Sequence, residues 1–154
     1  MARYAEGTTV TPERSQMEIS ALLRKYGANG FQYGWEGDRA AVGFKAHGRV
    51  IRFVLDLPDP HDPEFAKTPT GQVRKPDARA AAHEGEIRRR WRALALAIKA
   101  KLEAVETGIA TFEDEFLAYT VLPDGSTVGQ HVHAEIEQAW RSGGTPPRLI
   151  GGVS

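Results

Sequence analysis

Three runs of alternating apolar and polar residues, separated by two short turns, occupy residues 30–57 and restrict the possible folds more than any other feature. In the first run Phe31, Tyr33 and Trp35 alternate with polar or small residues, and from residue 51 to 57 every second residue is apolar. Successive side chains of a strand point to opposite faces, so each run predicts a strand with one apolar face. Because turns this short join antiparallel neighbours, the segment predicts a three-stranded antiparallel meander.

Helical patterns precede and follow this meander. Thr11 and Pro12 are typical of a helix start, and apolar residues then recur at helical spacing as far as Tyr26. The same spacing continues longest from Ile87 to Val105, which predicts a long central helix. The order of the elements is therefore α-β-β-β-α-α-α once two short C-terminal helices are included, and this order indicates an α+β fold.

The two C-terminal helices are predicted from their caps. Thr111 precedes a helix over residues 112–119, and Thr127 with Gln130 forms a capping box for a helix that ends near Arg141. In the last helix we expect the four apolar residues at spacing four to face the core, namely Val128, Val132, Ile136 and Trp140.

The length of 154 residues predicts a single domain, which we place at residues 11–142. We expect residues 1–10 and 143–154 to be flexible ends. Residues 58–83 contain five prolines and predict a long irregular loop, although the alanine-rich stretch 78–82 could begin the central helix early. Loops this long inside a domain are commonly functional or disordered.

Composition excludes several classes of protein. The chain has no cysteine, which excludes disulfides, thiolate metal sites and a cysteine nucleophile. Its apolar runs are far shorter than a bilayer crossing requires, and its first ten residues lack the apolar core of a secretory signal. We therefore expect a cytosolic protein with no membrane partner.

The net charge is zero, but the charges are unevenly distributed. Residues 73–101 carry nine basic and three acidic side chains, whereas residues 102–154 carry two basic and eight acidic ones. The basic segment could face a polyanion, or the two segments could neutralise each other in the fold, with arginines paired to the acidic stretches 113–115 and 135–137.

The basic segment supplies the candidate binding residues. Cations near the start of a helix oppose its dipole unless an anion joins them, and phosphate is an anion that arginines hold well. Such contacts to a DNA or RNA backbone would not depend on sequence. The candidates placed before and in the first turns of the long helix are Arg74, Lys75, Arg79, Arg88, Arg89 and Arg92.

An acidic loop is a weaker candidate, for a metal site. Carboxylates close together in a loop suit hard cations, and such residues with one histidine lie within nine positions, namely Asp56, Asp59, His61, Asp62 and Glu64. The spacing does not match a calcium loop. A metal-dependent nuclease would also need an acid two residues before Lys45, where the chain has Gly43. The sequence therefore predicts no cofactor and no catalytic residue.

Two further groups are interpreted as structural. His131 and His133 point to different sides of a helix, so they cannot hold one zinc ion together. The stripe of Phe31, Tyr33 and Trp35 could stack on bases if it were exposed, but core packing is the expected role.

The stretches Thr11–Trp35 and Arg88–Gln130 resemble a group of small proteins encoded by bacteriophages and prophages. No reaction, cofactor or site is established for that group, so the resemblance implies a context only. It implies action on nucleic acid, or binding and disabling of a host protein. The first hypothesis is thus a phage-derived, nucleic-acid-associated accessory protein without enzymatic activity. The alternatives are a protein-interaction module that inhibits a host defence protein or polymerase, and a metal-dependent nuclease.

Overall fold

The computed structural model describes residues 5–146 and residue 149. The chain is α+β, and its helices and strands follow the predicted order. The elements are α1 (Pro12–Lys25), β1 (Gly30–Glu36), β2 (Arg39–Ala46), β3 (Arg49–Asp56), α2 (Pro76–Glu106), α3 (Phe112–Glu115) and α4 (Val128–Arg141). The prediction of flexible ends falls partly on residues 1–4, 147–148 and 150–154, which lie outside the described residues.

The predicted meander is confirmed. The strands lie in the order β1-β2-β3, and both pairs are antiparallel. In the register, Phe44 of β2 lies opposite Phe31 and Ile51, and Val42 lies opposite Tyr33. These side chains therefore share one face of the sheet, and the polar and small residues between them share the other.

Among the residues that the structure describes, helices cover the first of these faces and leave the second open. Ile19 of α1 and Trp91 and Ile98 of α2 are buried in the same core as the apolar strand residues. Phe116, which follows α3, is fully buried, and its ring meets that of Phe44 edge-on at a centroid distance of 5.8 Å. The core is thus a layer of helices against one side of the sheet.

The predicted loop over residues 58–83 is shorter and more ordered than expected. Helix α2 begins at Pro76, because proline at the first helical position lacks only an N–H that would have no partner there. Before it, a 3₁₀ turn at Pro63–Phe65 and an antiparallel bridge between Lys67 and Val73 order the chain. Phe65 is buried, and its ring lies edge-on to that of His83.

The C-terminal helices begin at the predicted caps. The Thr111 hydroxyl accepts a hydrogen bond from the Asp114 amide, and Thr127 and Gln130 form the complete capping box. Between the two helices, the amide of Val121 donates to the carbonyl of Val50, so the chain passes along the outer edge of β3.

The inward orientation predicted for α4 is wrong for its second half. Ile136 and Trp140 remain 53% and 54% exposed. The helix packs on the body mainly through its first turn, where buried Gly129 lies against the 3₁₀ turn Leu117–Tyr119. Alternate faces of a helix can be read from its sequence, but the presence of a neighbour cannot.

Candidate functional site

The arginine run does not lie at the start of the long helix. Since α2 begins at Pro76, the run from Arg88 to Arg92 lies about three turns inside it, beyond the reach of the dipole at the helix N-terminus. The expectation that a dipole-compensating anion is needed there was therefore wrong for Arg88, Arg89 and Arg92. It applies only to residues close to Pro76.

Carboxylates compensate most of this run. Glu86 is 6% exposed, and its carboxylate accepts hydrogen bonds from Arg89 at 2.6 and 2.9 Å and from Arg90 at 3.1 Å. The hydrogen bond to Glu86 raises the pKa of Arg89 above its ordinary value. Arg92 forms an ion pair with Glu18 of α1. These arginines act within the fold and tie α2 to itself and to α1.

The partners differ from those expected. Among the described residues, the acidic stretches 113–115 and 135–137 do not pair with Arg88, Arg89 or Arg92, so the alternative of mutual neutralisation fails for these three arginines. Within the described chain, the contact between the basic segment and these stretches is the ion pair of Lys101 with Glu115, at 3.3 Å.

Two of the remaining candidates, Arg74 and Arg79, donate to backbone oxygens. Arg74 reaches the carbonyls of Glu64 and Phe65 at 3.4 Å, and Arg79 reaches that of His61 at 3.1 Å. A carbonyl neutralises no charge. Lys75 occupies the N-cap position of α2. Among the described residues, none of these three cations forms an ion pair. Their positive charges are therefore not compensated by a carboxylate, although they lie at the positive end of the helix.

Arg88 does not join this group. Its Nε donates to the carbonyl of Thr8 at 3.4 Å, on the side of the N-terminal segment. Nine residues separate it from Arg79, which is about two and a half helical turns, so the two side chains leave α2 on opposite sides. The six predicted residues therefore do not form one surface: Arg74, Lys75 and Arg79 stay together, with Asp77 beside them.

The acidic loop does not form a metal centre in the structure. Asp59 and Asp62 accept hydrogen bonds from loop amides, including that of His61 to Asp59 at 2.7 Å, and Asp56 forms an ion pair with Arg39. Over residues 5–146 no three histidine or acidic side chains are grouped as metal ligands. Asp59 and Asp62 hold the loop turns and Asp56 a surface ion pair, so these carboxylates do not converge on one point.

The histidines have local partners. The Nε2 of His131 lies 3.0 Å from the carboxylate of Asp124, and that of His83 lies 2.8 Å from the carbonyl of Pro58. The ring of His47 stacks on that of Phe112 at a centroid distance of 4.4 Å. Each contact explains its histidine without a metal or a substrate.

The aromatic stripe of β1 is only partly core. Phe31 packs against the core cluster, and the ring of Tyr33 meets that of Trp91 edge-on at 6.2 Å. Trp35 lies at the end of the strand and is 76% exposed, because β1 is an edge strand and the helices do not extend over it. The expected core role thus fails for Trp35.

An open sheet face is the feature that sequence reasoning missed. Opposite the core, the small residues Gly34, Ala41 and Gly43 form the floor of a groove of about 700 Å³, which Val50 and Arg52 also line. A Cβ added at Gly34 would meet no atom within 4 Å, so the groove is open there. The sequence signal was available as small residues at alternate positions of adjacent strands.

A second apolar surface is the stripe of α4, formed by half-buried Val132 and by exposed Ile136 and Trp140. Residues four apart lie on one side of a helix, so these three form a continuous row. Isolated apolar residues on a surface are ordinary, but a row along an amphipathic helix that none of the described residues covers is not.

Comparison with known proteins adds no identification. Family models match no part of the sequence, and no curated protein or solved structure is significantly similar to it. The likeness to phage-encoded proteins stays a prediction. None of the helices in residues 5–146 combines the length and apolar composition that a bilayer crossing needs. A function must therefore rest on the surfaces of the molecule itself.

Proposed function

We propose that this chain is an interaction protein that binds another protein chain through α4. The observation that carries the proposal is the row of Val132, Ile136 and Trp140, of which the last two are more than half exposed. An amphipathic helix that places its apolar face in a groove is a common mode of recognition, with anchors at spacings of three and four. Exposed tryptophan is also frequent among residues that dominate binding energy.

The acidic residues beside the row indicate which kind of partner surface would bind it. Glu135 and Glu137 flank Ile136. Glu137 forms an ion pair with Arg141, whereas Glu135 forms none in the described part of the chain. A binding groove with an apolar floor and a basic rim would match both features. Of the two hypotheses drawn from the sequence, protein interaction is favoured over nucleic-acid binding. The cations that were expected to form one binding surface are paired with carboxylates or lie on different sides of α2.

The test is site-specific photocrosslinking in cells that produce the full chain. A photoreactive residue at Ile136 should give a discrete crosslinked protein band, whereas the same residue at Gln138, about 200° away around the helix, should not. Crosslinks from Ile136 that disappear in the Trp140→Glu variant would support the proposal. Equal crosslinking from both positions, or none from either, would refute it.

Contact with nucleic acid is a second candidate, favoured by one observation. Arg74, Lys75 and Arg79 are grouped at the positive end of a 31-residue helix and have no carboxylate partner among the described residues. Helix N-termini with adjacent cations suit phosphate. Asp77 in the first turn and Glu64 in the preceding loop reduce the local positive charge, so this group is the weaker basis.

A further inference from the structure

Within residues 5–146 two surfaces have no covering element, and their shapes are complementary. One is the groove on the open sheet face, with its floor of Gly34, Ala41 and Gly43. The other is the row on α4, whose largest members are Ile136 and Trp140. Large side chains on one element and small ones on the other are what close packing of a helix on a sheet requires.

Their charges are complementary as well. The open face carries Arg52 at the groove and Lys45 on the adjoining strand, and neither forms an ion pair within residues 5–146. The α4 row is flanked by Glu135, which forms no ion pair among the described residues, and by Glu137, which pairs with Arg141 of the same helix. Opposite charges around an apolar centre favour the encounter and fix the register of two partners.

The dimensions agree too. Helix α4 has 14 residues and is about 21 Å long, and a strand of eight residues spans about 26 Å. Three strands spaced about 4.8 Å apart are about as wide as one helix is thick. One helix can therefore cover one groove.

The groove and α4 are also neighbours along the chain, but α4 does not lie in its own groove. Val121 lines the groove and forms a bridge with Thr127, the N-cap of α4. The capping box and the close packing of Gly129 against the Ala118 carbonyl fix the direction in which α4 leaves this point. With that direction fixed, the groove that α4 can fill belongs to another molecule.

We infer that the protein forms a two-fold dimer in which α4 of each copy lies in the sheet groove of the other. This inference rests on the proposed function and names its partner, a second copy of the same chain. A two-fold axis makes the contact twice, as in an exchange of identical elements. A stable interface buries about 1,200–2,000 Å² in total, so each of the two helix-on-sheet contacts would have to bury about 600–1,000 Å².

The test is the mass of the full chain in solution, measured by light scattering during size exclusion over a dilution series. We expect a dimer for the native sequence and a monomer for Ile136→Glu with Trp140→Glu. Arg52→Glu, which leaves α4 unchanged, should weaken dimerisation at least about tenfold by placing a negative charge opposite Glu135. Gln138→Glu is the matched control, since it adds the same charge to the other side of α4, and it should remain dimeric.

Circular dichroism and thermal unfolding of each variant establish that it is folded. A native chain that is monomeric at tens of micromolar, or a dimer that survives both the α4 and the Arg52 substitutions, would overturn the inference. A monomeric chain whose photocrosslinks from Ile136 reach a different protein would overturn the dimer and leave the proposed function standing. A monomeric chain without such crosslinks would refute both.

Discussion

The carboxylate of Glu86 is held by the guanidinium of Arg89 through two hydrogen bonds, of 2.6 and 2.9 Å, in a part of α2 where the acid is almost fully buried. Arg90 adds a third hydrogen bond to the same carboxylate. The side chains of Arg89 and Arg90 are themselves mostly buried, so neither cation can recover full hydration if the acid is removed. The charges in this part of the basic segment are therefore structural.

We expect Glu86→Ala to lower the free energy of unfolding by about 3 kcal/mol, the lower end of the range for breaking a buried ion pair, because both arginines retain some contact with water. The measurement is equilibrium urea unfolding followed by circular dichroism. Glu84→Ala is the matched control: it removes an exposed acid two residues away and should change stability by less than about 0.5 kcal/mol. Similar losses in both variants would contradict a structural role specific to Glu86.

The spacing of these residues shows what sequence could and could not reveal. Arg89 and Arg90 stand three and four residues after Glu86, a spacing that brings side chains together on any helix, so the pairs were predictable once α2 was recognised as helical at residue 86. The pair of Arg92 with Glu18 joins positions 74 apart in sequence and depends on the packing of α1 against α2. No local pattern contains that contact.

The strands and the start of α2 make the same contrast. Alternation of side chains is a property of each strand alone, so the meander over residues 30–57 was predictable. The prolines of residues 58–83 were all interpreted as breaks, yet Pro76 occupies the one helical position that favours proline. Because Pro76 was taken as a break, the predicted helix start lay too close to Arg88 and Arg89. The candidate binding site was therefore placed at the wrong part of α2.

The cations at the true start of α2 define a salt-dependence prediction. If the chain binds polynucleotides, Arg74→Glu with Lys75→Glu should weaken binding and reduce the slope of log affinity against log salt by about two, one for each phosphate that the variant no longer neutralises. Fluorescence anisotropy of labelled single- and double-stranded oligonucleotides over a salt series measures both quantities.

Lys99→Glu is the control for that experiment, because Lys99 is an exposed cation on the same helix, about 36 Å from Lys75. It should leave the slope unchanged. A decrease in affinity of the same size in the control, or no binding by the native chain at low salt, would remove nucleic acid from the candidate partners.

A surface carboxylate before α4 provides a pH prediction. The hydroxyl and amide of Ser126, together with His131, lower the pKa of Asp124 from 3.8 to about 2. Because the pKa is lowered in the folded chain, this contribution to stability is complete above pH 3.8 and is lost as the pH falls towards 2. We expect Ser126→Ala to raise the pKa of Asp124 towards 3.8, measured by NMR titration of the carboxyl carbon.

Ser142→Ala is the control for the titration, since it removes a hydroxyl at the other end of α4. It should leave the pKa of Asp124 where it is. An unchanged pKa in Ser126→Ala would show that the Ser126 hydroxyl does not govern this group, because the variant keeps the hydrogen bond from the Ser126 amide.

Ser15 is expected to weaken the fold that contains it. Its side chain is fully buried in α1, and its Oγ has no hydrogen-bond partner among the described residues. A buried hydroxyl without a partner costs about 1–3 kcal/mol, and alanine is the better helix former. We therefore expect Ser15→Ala to raise the free energy of unfolding by about 1–2 kcal/mol, measured by urea and thermal unfolding.

Ser20→Ala is the control, at a less buried position of the same helix, and its free energy of unfolding should rise by only about 0.5 kcal/mol from helix propensity. A loss of stability in Ser15→Ala would mean that the hydroxyl has a partner in solution, such as a bound water, which the alanine leaves without its own hydrogen bond.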